Sequence, residues 1–233
     1  MASTIDIAQE QITHALEKGQ QTLSEYDSRK ILEAYGIPVV KAELVREAGA
    51  VERTAARLGY PVVVKACGAA FAHKSDRGLV RLNVDDATSV AAAIEDIRTA
   101  AGADAIEGYL VQPMLRGRRE IIVGGMRDPL FGPCVMLGLG GVLVEAIADI
   151  AFRLAPLDER DAQEMINNIR AQRIFDAVRG EPAADRGALI KVLMAVGQIL
   201  IKHPRIAQID VNPLIFEGTQ PVAVDALVTL GAA

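Results

Sequence analysis

The chain has no tryptophan, only 4% aromatic residues and two cysteines in 233 positions. So few aromatic rings leave no stacking platform for single-stranded nucleic acid. A formal net charge of −5 leaves no basic surface for nucleic acid or an anionic membrane. Cys67 and Cys134 stand in no metal-ligand spacing. No apolar run reaches the roughly 20 residues that span a bilayer, and no secretory signal is visible, so a reduced, cytoplasmic protein is expected. The G-x-G-x-x-G and Walker A signatures are absent, as are internal repeats and low-complexity tracts. What is present is 51% hydrophobic content, drawn largely from Ala, Val, Leu and Ile, the profile of an α/β enzyme with one full core or two small lobes.

Apolar residues Ile5, Ile7, Ala8, Ile12, Ala15 and Leu16 form a helical stripe over residues 4–20. Ser24 opens a second helix through Tyr35, with Asp27 in the capping-box position and Leu32 and Tyr35 turned inward. Gly36 closes it, and residues 37–40 start a strand. A helix over 48–58 ends at Gly59, and the buried-type strand Tyr60-Pro61-Val62-Val63-Val64-Lys65-Ala66 follows. The next helix runs from Asp85 and Asp86 to about Arg98, and the small residues of 100–108 mark a division between lobes. Strands are predicted over 109–114, 119–125, 133–139, 206–211 and 222–226, and helices over 158–170 and 185–203.

Lys65 stands inside a valine strand, where an ammonium either snorkels to water or meets an anion. The polar loop His73-Lys74-Ser75-Asp76-Arg77-Gly78 follows it. A strand-borne lysine with a loop of donors suits a polyphosphate. His73 reads as a surface residue or as a base, ligand or phosphoryl acceptor. The Gly138-Leu139-Gly140-Gly141 run is a tight turn or an anion-receiving nest. Asp210 and Asn212 point to one side of an extended strand, and Asp225 lies in the next. Two carboxylates and an amide oxygen can serve Mg²⁺ together with nucleotide phosphates; otherwise Asn212-Pro213 is a turn and Asp225 a strand-end charge.

With these residues assembled, the chain resembles the ATP-grasp family, and within it the β subunits of ADP-forming acetate or acyl-CoA synthetases, relatives of succinyl-CoA synthetase. The resemblance runs from about Leu23 to Leu230. It is carried by Gly59 to Lys65, His73-Lys74-Ser75-Asp76, Arg127-Asp128-Pro129 with Phe131-Gly132-Pro133, Gly138 to Gly141, Ala151 to Leu157, and Ile209-Asp210-Val211-Asn212-Pro213-Leu214.

This resemblance implies an α/β ATP-grasp fold whose two lobes, 21–108 and 109–233, grip ATP or ADP, with a helix over 1–20 packed on the second lobe. It implies reversible conversion of acyl-CoA, ADP and phosphate to free acid, CoA and ATP. His73 would be a phosphohistidine oriented by Asp210. Lys65, Lys74 and Ser75 would meet nucleotide phosphates. Gln112, Pro113 and Met114 would form the adenine hinge, Glu120 would face the ribose, and Arg153 a phosphate. Asn212 and Asp225 would hold Mg²⁺. An α subunit carrying the CoA-binding and ligase regions would complete a hetero-oligomer. Two departures stand out: Leu79 replaces a family glycine, and Pro113 replaces a glutamate and lacks an N–H. The rival readings are a non-catalytic or regulatory nucleotide-binding module working with an acyltransferase or CoA-binding partner, and an ATP-grasp ligase without a phosphohistidine. Retention of Lys65, His73, Asp210, Asn212 and Asp225 favours the enzyme over the module, and the His73–Asp210 pair argues against the second.

Overall fold

The computed structural model describes residues 4–71, 74, 76–141, 149–178 and 180–231. Among these, two antiparallel sheets organise the chain, each with its own core. The smaller sheet has the order β1 (Glu43–Val45), β4 (Gly108–Pro113), β2 (Val62–Cys67), β3 (Val80–Val84). Helices α3 (Ala48–Leu58) and α4 (Ala87–Ala101) supply Val51, Ala55, Val90 and Ile97, which pack on Val62, Val64 and Val111. Alternation along β2 thus sends Val62, Val64 and Ala66 into this core and leaves Val63, Lys65 and Cys67 on the opposite face.

The larger sheet has the order β10 (Leu227–Leu230), β8 (Ile206–Glu217), β5 (Glu120–Asp128), β6 (Gly132–Leu139), β7 (Ile150–Leu154), with β9 (Gln220–Ala223) also paired to β8. Its core takes in helices α5 (Glu159–Asn168) and α6 (Arg186–Lys202), together with α1 (Thr4–Glu17) and α2 (Glu25–Ala34). Ala8, Ile12 and Ala15 of α1 are buried there, as are Ile31 and Leu32 of α2, whereas Leu16 of the expected stripe faces out.

The division between the sheets differs from the expected one at 108/109. β4 lies between β1 and β2 in the smaller sheet, so the chain crosses after Pro113. Residues 21–40 likewise belong to the larger core through Leu23, Ile31, Leu32 and Ile37. Composition gives no sign of this, because β4 reads equally well as the first strand of a new lobe. The expected strand at 37–40 is reduced to a single bridge, Val39 to Ala223; Pro38 has no N–H for a ladder.

Local capping follows the sequence. Ser24 Oγ accepts from Asp27 N at 3.2 Å, but its hydroxyl donates to the Asp27 carboxylate at 2.8 Å instead of completing a reciprocal box. The reciprocal box does form at α4, between Asp86 and Ser89. Beyond Arg127, Asp128 Oδ1 accepts from the N–H groups of Leu130 and Phe131 and so holds the turn between β5 and β6.

Two features of the C-terminal region position the site. β8 continues through Asn212-Pro213 to Glu217 without turning. The expected strand at 222–226 is split, β9 ending at Ala223 and β10 starting at Leu227. The intervening Val224–Ala226 segment is therefore outside the ladders and presents its polar groups to the smaller sheet.

Gly125 of β5 lies under α6, where an added Cβ would come within 2.8 Å of Val196 Cγ1 and 2.9 Å of Leu200 Cδ1. Gly125→Ala is expected to destabilise the fold by about 1–3 kcal/mol through overpacking, read as a lower urea midpoint with an unchanged slope.

Candidate functional site

Lys65 does not snorkel. It is 4% exposed, and its Nζ donates to Glu25 Oε1 at 2.8 Å and to the Val224 carbonyl at 2.7 Å, with Asp225 Oδ2 at 3.7 Å. Lys74, also buried, lies 3.1 Å from Glu25 Oε2 and 3.2 Å from Asp225 Oδ1. Two ammonium groups from the smaller lobe are thus set between a carboxylate at the start of α2 and one in the β9–β10 break. Arg29, one helical turn beyond Glu25, is 3.4 Å from its carboxylate and donates to Gln112 Oε1 at 2.8 Å and the Val224 carbonyl at 3.2 Å.

The electrostatics follow from these contacts. Burial works against the Lys74 charge, but Glu25 and Asp225 outweigh it and push its pKa up to about 12. Burial likewise works against the Asp225 carboxylate, and Lys65 and Lys74 overcome it, holding its pKa below the ordinary range. Desolvation pushes the buried Cys67 thiol up to about 11, which makes it a poor nucleophile.

Two clefts meet at Asp225. The first, about 540 Å³, has apolar walls from Val63, Val80, Leu82, Leu115 and Ile215, and polar groups from Lys65, Gln112, Glu120, Asn212 and Asp225. The second, about 250 Å³, is lined by Lys74, Asp76, Asp210, Asn212 and Asp225. An apolar slot leading to a charged end suits a nucleotide, base first. A wider hollow of about 680 Å³ between α1, α2 and the smaller lobe contains none of the residues expected at the site.

The structure therefore brings Lys65, Gln112, Met114, Glu120, Asn212 and Asp225 to one cleft, and Lys74 and Asp210 to its neighbour. Pro113 ends β4 opposite Val62 and does not line the cleft. Met114 N–H donates to the Pro61 carbonyl at 3.0 Å. Neither residue therefore presents a backbone donor to the cleft, and the lining backbone continues at Leu115. Arg153 is not brought to either cleft. It lies on β7, separated from β8 by β6 and β5, and pairs with Glu164 at 3.4 Å. His73 and Ser75 lie outside the described residues. The glycine run is a packing device: Gly140 N–H donates to the Glu120 carbonyl at 2.8 Å, and a Cβ there would come within 2.7 Å of the Glu120 carbonyl carbon.

Asn212 and Asp225 border both clefts, one amide oxygen and one carboxylate where the polar ends meet. This hard-oxygen set fits Mg²⁺ that draws its remaining ligands from phosphate and water. Among the described residues, no three His, Cys, Asp or Glu converge on one point as a closed metal cage.

Sequence reasoning missed Glu25 and Arg29. An i, i+4 acid–base pair on a short helix reads as a solvated surface bridge, yet both side chains are buried. The available signal was position: Ser28 and Leu32, on the same face, are buried as well.

A family profile for the ATP-grasp domain matches residues 14–230. The chain belongs to the ATP-grasp domain family. It is 38% identical over 213 residues to the acetate–CoA ligase (ADP-forming) I subunit beta of Pyrococcus furiosus, covering 89% of this chain and 91% of that subunit. It is 40% identical over 228 residues to acetate–CoA ligase (ADP-forming) I of Archaeoglobus fulgidus, covering 96% of this chain but 33% of that protein. The chain thus spans nearly all of the first relative and about a third of the second. Among solved structures, the dinucleotide-forming acetyl-coenzyme A synthetase 1 of Candidatus Korarchaeum cryptofilum, in complex with coenzyme A and Ca-AMPCP, superposes with a TM-score of 0.90 at 35% identity, covering 96% of this chain and all of that one. Another structure of that synthetase, with coenzyme A and Mg-AMPPCP, has a phosphohistidine segment pointing towards its nucleotide binding site; it superposes at a TM-score of 0.82 and 35% identity, over 96% of this chain and 100% of its own.

The stability that the Lys74 charge contributes is present in full below the ordinary lysine pKa of about 10.4 and is lost as pH rises through about 12. The Asp225 contribution has the opposite sense: it is present above the ordinary carboxylate range and is lost as pH falls through its depressed pKa. Lys74→Met should cost about 3 kcal/mol at pH 7, since buried Glu25 and part-buried Asp225 lose a counter-ion. The gap to wild type should narrow above pH 11 in urea denaturation series.

Proposed function

We propose that this chain is the nucleotide-handling β subunit of an ADP-forming acyl-CoA synthetase, which converts acyl-CoA, ADP and phosphate reversibly to free acid, CoA and ATP. The observation that carries the reading is the convergence of Lys65, Lys74, Asn212 and Asp225 where an apolar cleft meets a charged one, in a chain that matches an ADP-forming β subunit over almost its full length.

Phosphoryl transfer depends on alignment and charge neutralisation more than on covalent help from the protein. Val63, Leu82, Leu115 and Ile215 enclose the base and exclude water. Lys65 and Lys74 neutralise phosphate oxygens, Ser75 donates to them, and Glu120 faces the ribose. Asn212 and Asp225 hold Mg²⁺, which when bound shields the charge of the terminal phosphates. In the ATP-forming direction His73 carries the phosphoryl group: its N–P bond breaks as an oxygen of the ADP terminal phosphate forms the new O–P bond. Asp210, on the strand that also carries Asn212, receives the other imidazole N–H and sets the tautomer. Acyl transfer and CoA binding take place on an α partner, which makes the working enzyme a hetero-oligomer. Among the described residues no helix is long and apolar enough to cross a membrane, and the cytoplasm is the proposed location.

Incubation with γ-labelled ATP and Mg²⁺ is expected to leave acid-labile, base-stable label on the wild-type chain and none on His73→Ala. Label that persists on His73→Ala would sink the histidine relay. Lys65→Met should weaken ADP binding at least tenfold in calorimetric titration. The isolated chain should form no ATP from acyl-CoA, ADP and phosphate; turnover by the chain alone would overturn the requirement for a partner.

A further inference from the structure

Three cations, Arg29, Lys65 and Lys74, are gathered around two carboxylates, Glu25 and Asp225. The carboxylates differ in access. Asp225 is 23% exposed at the side chain and borders both clefts, whereas Glu25 is 1% exposed and borders neither. The same two lysines contact both. Oδ1 of Asp225 faces Lys74, while Oδ2 lies near Lys65. A cation at Asp225 must therefore compete with two ammonium groups for the same oxygens. Glu25 is held at the first turn of α2, a helix anchored in the larger core through Ile31 and Leu32.

We infer that Glu25 is a positioning residue of the nucleotide site: a fixed carboxylate that retains Lys65 and Lys74 when Asp225 turns from them to the metal-bound nucleotide. This rests on the nucleotide-handling reading above. Coulomb's law gives the signature. With Glu25 neutralised, the lysines lean on Asp225 alone, so the metal loses its ligand to them. The site meanwhile becomes more positive towards a metal-free polyphosphate. Loss of Glu25 should therefore weaken the help that Mg²⁺ gives while sparing or strengthening binding without metal. A damaged fold would weaken both alike.

The test is ADP affinity of the full chain by calorimetric titration, once with Mg²⁺ and once with EDTA, read as the ratio of the two dissociation constants. Wild type should bind ADP more tightly with Mg²⁺. Glu25→Gln should lower that enhancement about tenfold, with metal-free affinity unchanged or higher; Glu25→Asp, which keeps the charge but withdraws it by one methylene, should lower it about threefold. An enhancement within twofold of wild type in Glu25→Gln overturns the inference, as does a parallel loss of both affinities. Should Glu25→Gln not fold, an unchanged enhancement in Glu25→Asp overturns it. Wild-type binding that ignores Mg²⁺ overturns it while nucleotide binding stands, and wild type that binds no ADP at all overturns both.

Discussion

Two buried ammonium groups that must meet two carboxylates across a lobe boundary are the constraint on which the rest of the site depends. Lys65 and Lys74 come from the smaller lobe, Glu25 from the first turn of α2, and Asp225 from the β9–β10 break. An isolated buried ammonium is several kcal/mol unfavourable, so each of these groups is tenable only while the others are in place. The pairing that makes the cluster stable also fixes how the lobes face each other over the clefts.

The larger lobe is built to deliver those partners. Leu23, Ile31 and Leu32 anchor α2 in the main core, which leaves its first turn directed at β2. β8 continues through Asn212-Pro213 with a shift of register against β5, and Asp210 and Asn212 both lie on this one strand. The interruption between Ala223 and Leu227 exposes the Val224 carbonyl to Lys65 and Arg29. Rigid elements thus carry Glu25, Asp210 and Asn212, and a side chain on a strand or a helix turn is placed more accurately than one on a free loop.

The larger cleft shows the same division of labour. Apolar residues from both lobes shape the cleft, and Lys65, Gln112, Glu120, Asn212 and Asp225 supply its polar groups. The Gln112 amide has its orientation set by Arg29, because a guanidinium can only donate and must meet the amide oxygen. Pro113 has no donor, and Met114 uses its own on Pro61. The 112–114 segment therefore serves sheet pairing as much as it lines the cleft.

The sequence by itself determined the elements and most of the chemical inventory. The valine run marked β2, the Ser24 and Asp86 caps marked two helix starts, and a lysine within a valine strand could not be indifferent to its surroundings. Lys65 and Asp225, each set in an apolar strand-like run, were legible because burial of a charge is costly wherever the fold places it. Only the tertiary structure decided which charges meet. Glu25 and Arg29 have the spacing of an exposed helical pair, and only their place on the inward face with Leu32 marks the bridge as a buried one. Arg153 sits among apolar residues as a phosphate ligand might, yet β5 and β6 separate it from β8. The position of β4 in the smaller sheet, and the break that frees Asp225, likewise follow from pairing between distant segments. Local propensity cannot report such pairing, since its free energy arises only when those segments come together.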